Sequence, residues 1–380
     1  MEQIRVGIVG CGHISQTHLQ GWRKQAGARV VGVFDVNREL AQKRARDYGV
    51  PLIYDDLATL IAACDVVDVC TPPQTHSKIS QQVLKAGRHL LIEKPLVTEV
   101  ADWLQLQAAA RRAQRNVTVV HNLKFTHAVQ QAKKWVDAGR IGAVLSLHRQ
   151  FLTCPATDRM LVGNSHWSHR LPGGRWFETL PHELYLTHYF AGPLPLAHVT
   201  ALNTAQAPVG APASEVFITL ADESRIATIH YSSHCQLNRR TLTINGTRGT
   251  IAIDFLSDTV TCSTLVDRKW RRGVGLPFLE AGAQVLRSVP DRAAYWLRRV
   301  RRETPHAALI AAFTAHLQHK GPAPTPLDEI DYVVRHGDVI GRRIAALADG
   351  GWQEADFLKE AYEISPPFPQ TIIDVPQRTM

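Results

Sequence analysis

The sequence predicts an α/β protein that opens with a doubly wound parallel sheet, and three observations carry the prediction. Between residues 4 and 120, short β-rich runs alternate with helical patterns. The runs are apolar from end to end, without the polar alternation of a half-exposed strand, so they are buried on both faces, as parallel strands covered by helices are. The chain of 380 residues is long enough for roughly two domains with cores of their own.

The strands read as IRVGIVG, ARVVGVFD, DVVDVCTPP, RHLLIEKP and NVTVVH, separated by Ala/Gln/Arg-rich amphipathic stretches. The first runs into Gly10-Cys11-Gly12-His13-Ile14-Ser15, a G-x-G-x-x-S form of the dinucleotide fingerprint. Gly10 permits the tight turn, Gly12 lets a pyrophosphate approach the backbone, and Ser15 is small enough for helix against strand packing. His13 and Ile14 lie where the phosphates meet the helix N-terminus. Asp35 closes the second strand, where a carboxylate accepts from both ribose hydroxyls and repels a 2′-phosphate. NAD is therefore expected rather than NADP, although Arg38 nearby would tolerate a phosphate. The competing role for Asp35 is the N-cap of the helix VNRELAQKRARDYG. CTPPQTH and IEKP end two further strands, so Thr71, Pro72, His76, Glu93 and Lys94 face the same crevice at the carboxyl ends of the sheet. Beside a positively charged nicotinamide, Lys94 is suited to proton handling; its alternative is a salt bridge to Glu93.

PHELYLTH, starting at Pro181, raises a metal question, since His-Glu followed by a second His begins a zinc-protease helix. His182 and His188 lie six residues apart, however, which at about 100° per residue points them roughly 120° away from each other. One ion could not easily take both on that geometry. Glu178 is four residues before His182, so carboxylate and imidazole share a helix face, with Tyr185 one turn further on.

VGIVGCGHIS, TPPQTH, AGRHLLIEKPL, HAVQQAKKWVDAGRIGAVLSLHRQF and PGGRWFETLPHELYL, in that order, resemble the Gfo/Idh/MocA oxidoreductases, NAD(P)-dependent enzymes of sugars, inositols and nucleotide sugars. The resemblance covers about residues 4 to 190. It implies a Rossmann domain over 1–122 and an α+β domain with a large, mainly antiparallel sheet over 123–350, followed by a tail, 351–380. It further implies that Lys94 and His182 are the catalytic pair, His182 as the acid/base that takes the proton of a secondary alcohol and Lys94 steadying the developing alkoxide, that Glu178 holds the substrate-contacting carboxylate position of a D-x-x-x-H motif, and that the Lys94-Pro95 bond is cis. Homodimers or tetramers formed through the open sheet face belong to the same expectation. This sequence departs from the family pattern on the substrate side: Glu178 replaces Asp, Lys124 replaces a frequent Arg, and Tyr185 stands where a third carboxylate is frequent.

The loop NSHWSHRLPGGRW offers Trp167 and Arg175 as sugar contacts, with His166 and His169 beside them. Asn122 and Lys124, just beyond the last strand of the first sheet, are further substrate candidates. No metal is expected, because His166 and His169 have no third ligand nearby.

Composition bounds the rest. Apolar content of 45% and charged content of 20% exclude a disordered chain. The six cysteines show no C-x-x-C pair and read as reduced, mostly buried thiols. With no leader pattern and no long uncharged apolar run, a cytoplasmic protein is expected. The net charge of +9 is uneven: residues 255 to 305 hold ten Lys/Arg against five Asp/Glu. Within them, 267–303 reads as a basic amphipathic insertion, either a lid or subunit-contact helix or a surface for anionic membranes. No nucleic-acid module surrounds its arginines. The function expected is hydride transfer between nicotinamide and a secondary hydroxyl of a sugar, inositol or nucleotide sugar. The alternatives are a redox-neutral glycosidase or epimerase working by transient oxidation, and a non-catalytic NAD/sugar sensor.

Overall fold

The computed structural model describes residues 3–158, 160, 166–202, 213–264, 282 and 304–348. Strands β1 (Ile4–Val9), β2 (Ala28–Phe34), β3 (Val66–Val69), β4 (His89–Ile92) and β5 (Val117–Val119) form a five-stranded sheet in the order β2-β1-β3-β4-β5, every pair parallel. Their apolar runs are buried on both sides, with Val6, Ile8, Val66, Val67, Leu90, Leu91 and Ile92 inaccessible to solvent. Helices α1 (Ser15–Trp22), α2 (Arg38–Tyr48), α3 (Leu57–Ala63), α4 (His76–Lys85) and α5 (Val100–Ala113) connect them. The strand order reverses between β1 and β3, which opens a crevice at the carboxyl ends of the strands.

The second sheet consists of β6 (Val144–Leu152), β7 (Leu196–Leu202), β8 (Glu215–Ala221), β9 (Ile226–Ser232), β10 (Arg239–Gly246), β11 (Gly249–Asp254) and β12 (Thr259–Thr264) in the order β12-β11-β10-β6-β9-β8-β7. Only its β6–β9 pair is parallel. Helices α6 (His127–Asp137) and α7 (Arg175–Ala191) pack against one face, through Val129, Ala132, Leu184 and Phe190. On the other face Phe217 and Ile226 are exposed.

Two closing helices cross between the domains. The apolar side of α8 (Pro305–Leu317), carrying Leu309, Ile310 and Phe313, shares a core with Leu19 and Trp22 of α1. So although 123–350 was expected to form the second domain, α8 completes the first. Helix α9 (Leu327–Ala348) divides its side chains, with Ile330 and Val334 in the core of the first sheet and Tyr332, Val339 and Ile340 in that of the second. Apart from Gly282, the basic segment 267–303 lies outside the described residues, as does the tail 351–380. All six cysteines are free, and all but Cys235 are buried.

Candidate active site

The first turn has the shape its glycines allow. Gly10 sits at φ 93°, where a Cβ would come within 2.8 Å of the carbonyl carbon of Cys70. Nothing lies within 4 Å of where a Cβ would stand on Gly12, so the backbone there is open to a ligand. The Ser15 hydroxyl donates to the Gly12 carbonyl at 2.7 Å, and Arg44 braces the same carbonyl at 3.2 Å. His13 is exposed, while Ile14 leans on the core beneath. The Asp35 carboxylate is fixed across the turn, accepting the N–H of Cys11 at 2.6 Å and that of Asn37 at 2.7 Å. Asn37, not Asp35, caps α2, its side chain accepting from Glu39 and Leu40. Arg38 pairs with Asp55 at the surface. Thr71 accepts from the Thr75 hydroxyl at 2.7 Å, and Pro72 is exposed beside it.

His76 departs from its expected place against the cofactor. It is completely buried, with Nδ1 2.9 Å from the Pro95 carbonyl and Nε2 2.8 Å from that of Thr71. Both partners are carbonyls and a neutral imidazole has one N–H, so one nitrogen donates while the other only lies against its carbonyl, and the ring bridges the ends of β3 and β4. Burial lowers its pKa.

Glu93 does not reach the Lys94 ammonium. One carboxylate oxygen accepts the Lys94 backbone N–H at 3.1 Å, and the other sits 2.9 Å from Nε2 of His18. The other nitrogen of His18 faces Asp68 at 2.9 Å, and Asp68 also accepts from the Trp22 indole at 2.7 Å. Burial works against charge on His18, but Asp68 and Cys70 outweigh it and hold the imidazole well above its usual pKa. Glu93 is driven the other way: burial raises it, while His18 and then His306 pull it well below the usual range. His18, Asp68 and Cys70, and likewise His18, Glu93 and His306, have a spacing that could hold a cation. Each ring nitrogen of His18 faces a carboxylate at 2.9 Å, Asp68 on one side and Glu93 on the other, so the cluster as it stands is an internal hydrogen-bond network.

The Lys94-Pro95 peptide is cis, and the Lys94 ammonium meets the Glu178 carboxylate of α7. It also reaches the Glu178 carbonyl at 3.2 Å, next to the gap in the helix ladder where Pro181 has no N–H to give Phe177. The second Glu178 oxygen accepts from Arg175 at 3.0 Å, and Arg175 in turn holds Thr179 at 2.9 Å and Asp158 at 3.1 Å. Burial would raise the Glu178 carboxyl, but Lys94, Arg175 and His182 overcome it and bring the group down to about 2. His182 stands one turn along, its Nδ1 2.7 Å from the Tyr185 hydroxyl. Burial first and the Lys94 charge second push His182 well below its usual value.

Lys94, Glu178, His182 and Arg175 are thus brought together at the carboxyl edge of the parallel sheet. Asn122 is half-buried in the turn after β5. Lys124 is a correction: its buried ammonium donates to both oxygens of Glu329 at 2.6 and 2.7 Å and to the Pro324 carbonyl at 2.9 Å, so its three N–H bonds are taken. Trp167 packs against the core of the second sheet, 4.9 Å from the His166 ring.

Other site residues gave no local signal. His121, 2.5 Å from Glu329, stacks on Tyr185 at 4.3 Å. On the helix-covered face of the second sheet, Phe151 stacks on Tyr231 at 5.7 Å and lies 4.5 Å under the Arg240 guanidinium. The Tyr231 hydroxyl and Arg240 Nε are buried without hydrogen-bond partners among the described residues, and the charge of Arg175 acts on both. Only their strand alternation, read together with Arg175, could have pointed to them.

Residues 4–121 match the family described as "Oxidoreductase family, NAD-binding Rossmann fold", and residues 129–252 match the "GFO/IDH/MocA C-terminal domain". Inositol 2-dehydrogenase of Gluconacetobacter diazotrophicus is 32% identical over 148 residues, 38% of this chain and 44% of its own length. D-apiose dehydrogenase of Paraburkholderia graminis is 28% identical over 144 residues, 37% of this chain and 38% of its own. The matched stretch therefore spans less than half of these curated relatives. Similar folds include the WlbA dehydrogenase of Bordetella pertussis in complex with NADH and UDP-GlcNAcA, with TM-score 0.71, 18% identity and coverage of 90% of this chain and 96% of that one. A levoglucosan dehydrogenase in complex with NADH gives TM-score 0.73 at 21% identity, covering 91% of this chain and 98% of its own.

Proposed function

This chain belongs to the Gfo/Idh/MocA oxidoreductases and carries their NAD-binding Rossmann domain; on that premise we propose that it is a dehydrogenase acting on a secondary hydroxyl of a sugar, inositol or nucleotide sugar. The observation that carries this reading is the meeting of Lys94, Glu178 and His182 where the parallel sheet ends. The open side of Gly12, the N-terminus of α1 and the pinned Asp35 carboxylate fit a dinucleotide without a 2′-phosphate. Bound there, nicotinamide supplies the acceptor or donor of a hydride.

The protein's own share is the proton and the oxygen. Lys94 has one N–H left for the reacting oxygen and steadies charge that develops on it, with Glu178 fixing the ammonium's direction. His182 contacts the same oxygen from α7. Arg175, itself anchored by Asp158, holds Glu178 from behind, so a sugar hydroxyl meets a carboxylate whose position is already set. The unpartnered donors of Tyr231 and Arg240 are suited to further hydroxyl or acidic substituents.

A homo-oligomer joined through the exposed sheet face is part of this proposal, supported by Phe217 at 48% and Ile226 at 42% exposure on that face. Light scattering on the purified chain tests it. No helix among the described residues is long and apolar enough to cross a membrane.

The deciding experiment incubates the purified protein with NAD and a panel of inositols, aldoses, sugar acids and nucleotide sugars, following reduced-nicotinamide absorbance and product mass. Absorbance that grows with one substrate class is expected. An altered sugar without net reduction would replace the dehydrogenase with transient-oxidation chemistry, and absence of both NADH binding and turnover would overturn the enzyme reading.

A further inference from the structure

The Tyr185 hydroxyl meets the His182 ring. The tyrosine side chain is completely buried, and its hydroxyl has two partners among the described residues. The backbone N–H of Leu123, at 2.9 Å, can only donate, so it occupies a lone pair of the phenolic oxygen. The phenolic hydrogen then needs an acceptor, because a buried donor with no acceptor is costly to keep. His121 cannot serve: its ring is stacked on Tyr185, at 20° between planes, while the O–H lies in the plane of the phenol. What remains is Nδ1 of His182 at 2.7 Å.

We infer that Tyr185 donates to Nδ1 of His182 and so holds the imidazole as its neutral Nε2–H form, making His182 a hydrogen-bond donor to the reacting oxygen and leaving proton exchange to Lys94. This rests on the dehydrogenase reading above. A neutral imidazole has one N–H; if Nδ1 accepts, Nε2 carries it. Protonating the ring would put a hydrogen on Nδ1 facing the phenol, whose own hydrogen would then have nowhere to go. The surrounding charges act in the same sense. Burial leads, and Lys94 after β4 and Arg149 on β6 also disfavour an imidazolium, outweighing Glu178 on the same helix and Glu93 at the end of β4.

A carboxylate at position 185 would do the opposite, accepting Nδ1–H and freeing the Nε2 lone pair as a base. With the phenol there, His182 polarises the oxygen without giving up its proton. In the reducing direction a Lys94 N–H bond breaks, its electron pair stays on nitrogen, and the alcohol O–H forms. In the oxidising direction the same proton returns from the alcohol to Lys94. Tyr185 is then a positioning residue, acting through His182.

The test is long-range proton–nitrogen NMR of the full chain labelled with 15N-histidine, with His182→Gln identifying the signal. The wild type is expected to show the neutral Nε2–H form, unchanged between about pH 5 and 8, the range in which an ordinary histidine titrates. Tyr185→Phe keeps the ring on His121 and should lose the tautomer preference; Tyr185→Asp should invert it and bring titration into that range. An Nδ1–H form or an imidazolium in the wild type, or an unchanged Nε2–H signal in the Phe variant, overturns the inference. The wild-type and Phe spectra decide even where the Asp variant does not fold. NADH fluorescence titration of the same samples separates the two readings, since absent cofactor binding counts against the dehydrogenase and not against the ring state.

Discussion

The two walls of the crevice differ in what holds them. On the cofactor wall the important atoms belong largely to the backbone: the turn at Gly10, the open face of Gly12, and N–H groups that pin Asp35 from two residues further on and from Cys11. On the substrate wall they are charged side chains meeting over long stretches of sequence, Lys94 with Glu178, Lys124 and His121 with Glu329, and Arg149 with Glu183. A backbone cradle tolerates change around it, whereas a network of buried charges fails when one member is removed. The contrast teaches where damage should be local and where it should spread.

Lys94→Ala should produce the largest effect, a fall in kcat of about 10³-fold. NADH binding, read by fluorescence, should stay close to wild type if the cofactor wall is independent of the ammonium. A comparable loss of NADH binding would break the comparison. Glu329→Ala strands two buried cationic or donor groups, Lys124 and His121, and should cost about 3–5 kcal/mol in a urea melt. Asp35→Ser, in contrast, should leave the melt nearly unchanged while narrowing the preference for NAD over NADP, measured as a ratio of kcat/KM. The smallest effect concerns acid. Glu178 has a folded pKa of about 2 against an ordinary 4.5, so its ion pairs stabilise the fold fully above the ordinary value and are lost as pH falls towards 2. Glu178→Gln should flatten that part of the stability profile, and a profile that keeps its slope would assign it to other carboxylates.

The same contrast explains how much was legible in the sequence. Strand burial, the glycine turn and the Asp35 position are local patterns, and the parallel sheet follows from them. The triplet of Lys94, Glu178 and His182 came from motif spacing plus family resemblance. Lys124 and His76 were misplaced for one reason: each follows a strand end, where position suggests a ligand, but a carbonyl or carboxylate distant in sequence captures its side chain. Nothing within a few residues of Lys124 announces Glu329, and nothing near His18 announces Asp68. The helix α8 crossed domains because its apolar stripe fits α1, a complementarity that a linear boundary does not register.

The placement of β6 has a consequence during synthesis. The five strands of the first sheet are complete once Val119 has been made, but the central strand of the second sheet pairs Ser146 with Ile226 and His148 with Thr243. A ribosome must therefore deliver the chain through β10 before β6 has neighbours on both edges. Until β9 is made Leu147 and Phe151 sit on an unpaired strand, the kind of species that associates with its own copies. Slow elongation across residues 153–226 would lengthen that exposure.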